Sequence, residues 1–135
     1  MAANTTAVFT RGPIVGRVFV DTAETWVLNP VNAKVLVSAA DKPNGVRVQN
    51  FSACGPGTTA SDKITLWLDD GTGKYQWKSF LIVGATPSTT VKEAQADFSL
   101  PWVFVLPYGW RIHASCYGGA DINVFAYGAD FEKVD

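Results

Sequence analysis

Short apolar segments, separated by Gly, Pro, Asn and Thr, recur along the whole chain. The clearest is Lys63–Asp69, in which an isoleucine and two leucines alternate with Thr65 and Trp67. Such alternation places the two sets of side chains on opposite faces of an extended strand. No long segment has the apolar spacing of a helix, and regular short strands with turn signals between them predict a β-sandwich or barrel. The predicted strands are Ile14–Val20, Thr25–Leu28, Lys34–Val37, Val46–Ala53, Lys63–Asp69, Tyr75–Val83, Trp102–Leu106, Trp110–Cys116 and Ile122–Tyr127.

Three local patterns refine this outline. Asp70-Gly71 between two alternating segments predicts a hairpin with a loop of four or five residues. The apolar positions of Val46–Ala53 fall out of step midway, and a β-bulge near Gln49-Asn50 would restore the register. Val91–Phe98 fits either a helical turn or an exposed strand, and we interpret it as a strand because its surroundings are β.

Residues 1–13 are predicted to form an extended N-terminal arm, and residues 14–135 a single β-sandwich domain. The arm begins with polar residues, and Gly12-Pro13 disfavours a helix. A terminus of this kind stays mobile unless something holds it, and a neighbouring subunit is one way to hold it. Phe9, Arg11 and Pro13 are therefore candidate interface residues.

Composition limits the classes of partner. Charged residues make up 17% of the 135, against about 25% in typical domains, and the net charge is −1 with no basic run. Direct nucleic-acid binding then lacks its main driving force. No apolar run approaches the roughly 20 residues of a membrane-spanning helix. The first residues lack the basic start and apolar run of a secretion signal, so we expect a protein made in the cytoplasm, or exported by a route that leaves no mark in the sequence.

The sequence offers no reaction-specific motif, and we expect no enzyme, catalytic residue, cofactor or metal site. His113 is the only histidine, and a Ser/His/Asp triad would have to use it, yet no G-x-S-x-G motif is present. Asp69–Gly73 carries only fragments of a calcium loop. Cys54 and Cys116 belong to no CxxC motif, and they are either small buried residues or one inter-strand bridge.

The five tryptophans are numerous for this length. Tryptophans on a β-sandwich fill the core or an interface, or they stack on sugar rings when they form an exposed row. We favour the core and interface interpretation for most of them. Trp67 and Trp77 are the best candidates for exposure, because Trp67 lies opposite the isoleucine and leucine face of its strand. Both are added to the candidate interface residues.

A series of short motifs between Val8 and Phe131 resembles, in its order, small virion proteins of tailed bacteriophages and prophages. The motifs are Asn44-Gly45-Val46-Arg47-Val48, Gly57-Thr58-Thr59-Ala60, Leu66-Trp67-Leu68-Asp69-Asp70-Gly71, Ala85-Thr86-Pro87-Ser88, Val105-Leu106-Pro107-Tyr108-Gly109, Ile112-His113-Ala114-Ser115 and Ala126-Tyr127-Gly128-Ala129-Asp130-Phe131. The resemblance implies an all-β, antiparallel, jelly-roll-like β-sandwich with an extended N-terminal arm, and a capsid decoration (cement) role. The expected partner is then the major capsid protein, and the expected location is the capsid surface of the virion. The resemblance also implies a homo-oligomer, with a trimer as the first expectation.

Two other interpretations stay open. The first is a tail or fibre module that binds a host surface or glycan, which an exposed row of tryptophans would favour. The second is a carbohydrate-binding module or hydrolase outside any virion, which a secretion signal or a convergent pair of carboxylates would support.

Overall fold

The computed structural model describes residues 8–25 and 30–133, which form two four-stranded antiparallel sheets. None of these residues lies in a helix. The strands are β1 (Val8–Val20), β2 (Lys34–Ser38), β3 (Val46–Cys54), β4 (Asp62–Asp69), β5 (Lys74–Ile82), β6 (Gln95–Leu106), β7 (Arg111–Cys116) and β8 (Ile122–Lys133).

Strand order identifies the topology. One sheet has the order β1-β8-β3-β6 and the other β2-β7-β4-β5. Strands consecutive in sequence therefore alternate between the sheets except where β4 and β5 form a hairpin, and β8 pairs with β1. This is the strand order of a jelly roll, the double-sheet form of the eight-stranded sandwich. The predicted fold class, an antiparallel jelly-roll-like β-sandwich, is confirmed.

The core lies between the two sheets and is built largely from alternate positions of the strands. One end is aromatic: Trp77 packs 4.9 Å from Phe104 between ring centroids, and Phe80 stacks on Phe98 at 5.6 Å. The other buried apolar residues include Val20, Val37, Val46, Val48, Phe51, Ile64, Leu66, Ile82, Leu106, Ile112, Ile122 and Val124.

The first strand begins earlier than the sequence indicated. β1 starts at Val8 and pairs with β8 along its whole length, from Val8 opposite Lys133 to Val20 opposite Ile122. The boundary drawn after residue 13 therefore falls inside a strand, and residues 8–13 belong to the sheet rather than to a separate arm. Residues 1–7 lie outside the described residues, as do residues 26–29 of the predicted Thr25–Leu28 strand.

The strand β6 includes parts of two segments that were predicted as separate strands, Val91–Phe98 and Trp102–Leu106. It runs continuously from Gln95 to Leu106, while residues 91–94 precede it without regular structure. Pro101 lies within β6. A proline is tolerated there because β6 is an edge strand, in which only one side must supply amide donors to a neighbouring strand. The exposed strand predicted at Val91–Phe98 is thus correct only in its second half.

The predicted hairpin and bulge are both confirmed. β4 and β5 are joined at residues 70–73, where the Asp70 carboxylate accepts hydrogen bonds from the amides of Thr72 (2.9 Å) and Gly73 (3.0 Å). The register of β3 shifts between Val48 and Asn50 against both of its neighbours.

Candidate interaction surface

The centre of the outer face of the β2-β7-β4-β5 sheet is buried, at Thr65, Trp67, His113 and Ser115. Trp67 alternates with the core residues of β4 and pairs with His113 of β7, yet it is only 2% exposed. Its Nε1 donates a hydrogen bond of 2.9 Å to Oγ of Ser115, which is also buried. The prediction that Trp67 is exposed is therefore wrong. Alternation assigned it to the outer face correctly, but alternation does not say what covers that face.

Hydrogen bonds hold the connection between β1 and β2 beside this face. The amide of Glu24 donates to the carbonyl of Cys116 at 2.9 Å, next to a bridge between Ala23 and Cys116. The Glu24 carboxylate accepts from the amide of Asn32 at 2.6 Å, and the Asn32 side chain donates to the carbonyl of Ala23 at 2.9 Å. Glu24 lines one pocket together with Trp67. This connection therefore contributes to the cover over the sheet.

The only histidine makes a hydrogen-bonded contact with a carboxylate on the same face. Nε2 of His113 lies 3.0 Å from Oδ2 of Asp69, while Nδ1 is buried with no hydrogen-bond partner among the described residues. Burial lowers the pKa of His113, and this outweighs the hydrogen bond with Asp69, which raises it. For Asp69 burial raises the pKa, but hydrogen bonds from the Gly71 amide and from His113 bring it below its usual value. The neutral imidazole therefore donates from Nε2.

This histidine is not directed at a nucleophile. Ser115, two residues along β7, has its oxygen engaged by Trp67. Within residues 8–25 and 30–133, no group of three or more His, Cys, Asp or Glu side chains is placed to hold a metal ion. Cys54 and Cys116 are both free thiols, so the alternative of a bridge between them is not realised.

Trp77 does not form an exposed row with Trp67. It is half-buried, with its ring edge toward Phe51 at 6.3 Å in the aromatic end of the core. Among the tryptophans that the structure describes, the exposed one is Trp102, at 78%. Its apolar strand was predicted, but its exposure was not. The available signal was Pro101, because proline within a strand pattern marks an edge or a bulge.

The β1 and β8 half of the outer face of the β1-β8-β3-β6 sheet carries exposed apolar side chains. Pro13, Val15 and Phe19 lie at alternate exposed positions of β1, and Val15 is paired with Tyr127 of β8. The ring of Tyr127 stacks on that of Phe125 with centroids 6.5 Å apart. We call these five residues the β1–β8 stripe. Contiguous exposed apolar surface of this kind is typical of an interaction site.

Polar groups border the stripe. Arg17 is exposed on β1 and pairs with Phe125, and the hydroxyl of Tyr127 lies 3.0 Å from Oγ of Ser52. Of the candidate interface residues, Pro13 belongs to the stripe. Phe9 and Arg11 lie on β1, and their side chains are outside the described part of the structure.

The two outer faces of the sandwich therefore differ. The centre of one is buried beside the β1–β2 connection, and the other exposes the aromatic and aliphatic side chains of the β1–β8 stripe. No family model and no curated protein matches this chain. In the described part of the chain, no helix has the length and apolar character needed to cross a membrane.

Proposed function

We propose that this protein is a bacteriophage virion structural protein, a decoration (cement) protein that binds the outside of the head through its β1–β8 stripe. The observation that carries the proposal is the exposed β1–β8 stripe on the outer face of the β1-β8-β3-β6 sheet. The motif order shared with small phage virion proteins supports the same role. The jelly roll is compatible with it, since this architecture occurs in viral capsid domains as well as in lectins and cupins.

The chemistry of the stripe suits a protein partner. Val15 is 61% and Tyr127 41% exposed. Aromatic residues and arginine are enriched in protein interfaces, and Arg17 supplies a charge between the apolar groups. Removing this surface from water favours association.

Capsid symmetry would multiply a modest contact. A protein that binds only the assembled shell stabilises it by mass action. If copies are also joined to one another, each further contact forms at high effective concentration, so weak individual sites give strong retention. The proposal therefore includes a homo-oligomer, with a trimer as its first form, and the major capsid protein as partner.

The test is cosedimentation of the purified protein with shells assembled from the major capsid protein. Val15→Glu places a charge in the centre of the stripe and is expected to reduce shell binding at least about tenfold, since burying an unpaired charge is costly. The matched control is Leu81→Glu, which changes an equally exposed aliphatic residue of β5 at 71% exposure, outside the stripe. The control should bind as the unmodified protein does.

Two results would contradict the proposal. Equal loss for both variants would mean that the stripe has no special role in binding. Absence of binding by the unmodified protein to complete shells would exclude head decoration.

A tail or fibre module that binds a host surface is the second candidate. The observation that favours it is the exposed side chain of Trp102, which lies at the β5–β6 edge and away from the stripe.

A further inference from the structure

A small pocket opens at the edge of the sandwich where β5 and β6 face each other. Its volume is about 120 Å³, below the roughly 300–1,000 Å³ of sites that enclose a small molecule, so a ligand here would lie partly outside the pocket, against its rim. Trp77 and Phe104, which belong to the aromatic end of the core, form part of its wall. The lining residues are Trp77, Lys78, Leu100, Pro101, Trp102 and Phe104.

The backbone of β6 places the side chain of Trp102 at the rim of this pocket. The ladder with β3 pairs Asn50 with Ser99 and then Val48 with Phe104, so residues 100–103 form an excursion without paired residues on β3. Leu100 is buried and anchors the excursion, while Trp102 is largely exposed. Bulges in edge strands commonly redirect a side chain. The excursion therefore presents a large indole to solvent beside an apolar cleft.

The pocket carries a single charge. Lys78 lines it, no acidic residue does, and Nζ of Lys78 makes no hydrogen bond or ion pair with any described residue. A lone ammonium beside aromatic walls is complementary to a ligand that has an apolar face and a negative group. The backbone groups of the unpaired excursion add donors and acceptors at the edge of the sheet.

We propose that this pocket binds an anionic saccharide, whose ring stacks on the indole of Trp102 and whose carboxylate or sulfate contacts Nζ of Lys78. A sugar ring has an apolar face for the indole and hydroxyls for the backbone groups. The small volume favours such a ligand over a peptide, which needs a longer groove. The inference supplies a ligand class for the second candidate function, and it is tested on the isolated protein, independently of shell binding.

The experiment is an NMR titration of the ¹⁵N-labelled full chain with three oligosaccharides of equal length: one with uronate groups, one with sulfate groups and one neutral. The expected result is that an anionic oligosaccharide shifts the indole signal of Trp102 and binds more tightly than the neutral one. Whichever anionic ligand binds more tightly identifies carboxylate or sulfate as the preferred group.

Variants separate the two contacts. Trp102→Ala should weaken binding about tenfold, the scale of one aromatic stacking contact. Lys78→Gln should remove the preference for the anionic ligand while leaving weak binding of the neutral one. Tyr108→Ala is the matched control, because this exposed aromatic side chain lies on a turn outside the pocket, and it should bind normally.

The inference is overturned if none of the three oligosaccharides shifts the Trp102 signal, or if Trp102→Ala binds as tightly as the unmodified protein. It is also overturned if acidic peptides of matched charge shift Trp102 and the saccharides do not, since the pocket would then be a peptide site.

Discussion

Replacing Trp67 by phenylalanine should destabilise the fold far more than the same replacement of Trp102. Both residues are tryptophans on β-strands and both lie outside the central core, yet Trp67 is 2% exposed and Trp102 is largely exposed. Because Trp67 is buried and Trp102 is not, only the Trp67→Phe substitution removes buried contacts.

The magnitude follows from what Trp67 contacts. Phenylalanine cannot donate the hydrogen bond to Oγ of Ser115, and leaving a buried polar group unpaired costs about 1–3 kcal/mol. The smaller ring also leaves a void, which adds about 1 kcal/mol. We expect a loss of about 2–4 kcal/mol in the free energy of unfolding. At Trp102 the change should stay within about 0.5 kcal/mol, as for surface positions.

Equilibrium unfolding in urea, followed by near-ultraviolet circular dichroism, measures both variants. A third variant, Ser115→Ala, completes a double-mutant cycle with Trp67→Phe and isolates the hydrogen bond. Equal destabilisation by the two tryptophan substitutions would refute the description of Trp67 as buried. A coupling energy near zero would refute the hydrogen bond.

Two further predictions concern stability. Burial keeps the pKa of His113 in the folded protein below its ordinary value of about 6.5. As the pH falls, the unfolded chain therefore binds a proton before the folded protein does. The free energy of unfolding should decrease below about pH 6.5, by at most about 1.4 kcal/mol per pH unit. Because His113 is the only histidine, His113→Asn should remove most of the pH dependence of the urea midpoint between pH 7 and pH 5, and an unchanged slope would contradict the assignment. Gly128→Ala should destabilise by about 3 kcal/mol or more, because its Cβ would lie 1.9 Å from the carbonyl oxygen of Arg47. Gly57→Ala, with nothing within 4 Å, should be neutral or slightly stabilising, and similar thermal unfolding of the two variants would argue against the close approach of β3 and β8.

The sequence predicted the elements that depend on local rules. Alternation located most strands, Asp70-Gly71 located the β4–β5 hairpin, and the out-of-step apolar positions located the bulge of β3. Each of these signals is contained within a few neighbouring residues. The topology and the burial of outer faces depend on contacts between distant segments, which periodicity does not encode.

The wrong predictions about the candidate site arose because periodicity does not encode contacts between segments that are distant in sequence. Trp67 was expected to be exposed because it lies opposite the core face of β4, but residues distant in sequence, among them Ser115, surround it. Trp102 was assigned to a regular strand, but residues 100–103 leave the ladder. The β1–β8 stripe was only partly anticipated, through Pro13, because the pairing of β1 with β8 joins the two ends of the chain.

A cryo-EM reconstruction of particles that carry this protein tests the central proposal most directly. The proposal predicts density at regular positions over the whole head, with the outer face of the β1-β8-β3-β6 sheet, and the side chains of Val15 and Tyr127, against the capsid surface. Density confined to the tail or a fibre would contradict head decoration, and density on the head with the stripe facing solvent would contradict the proposed docking surface.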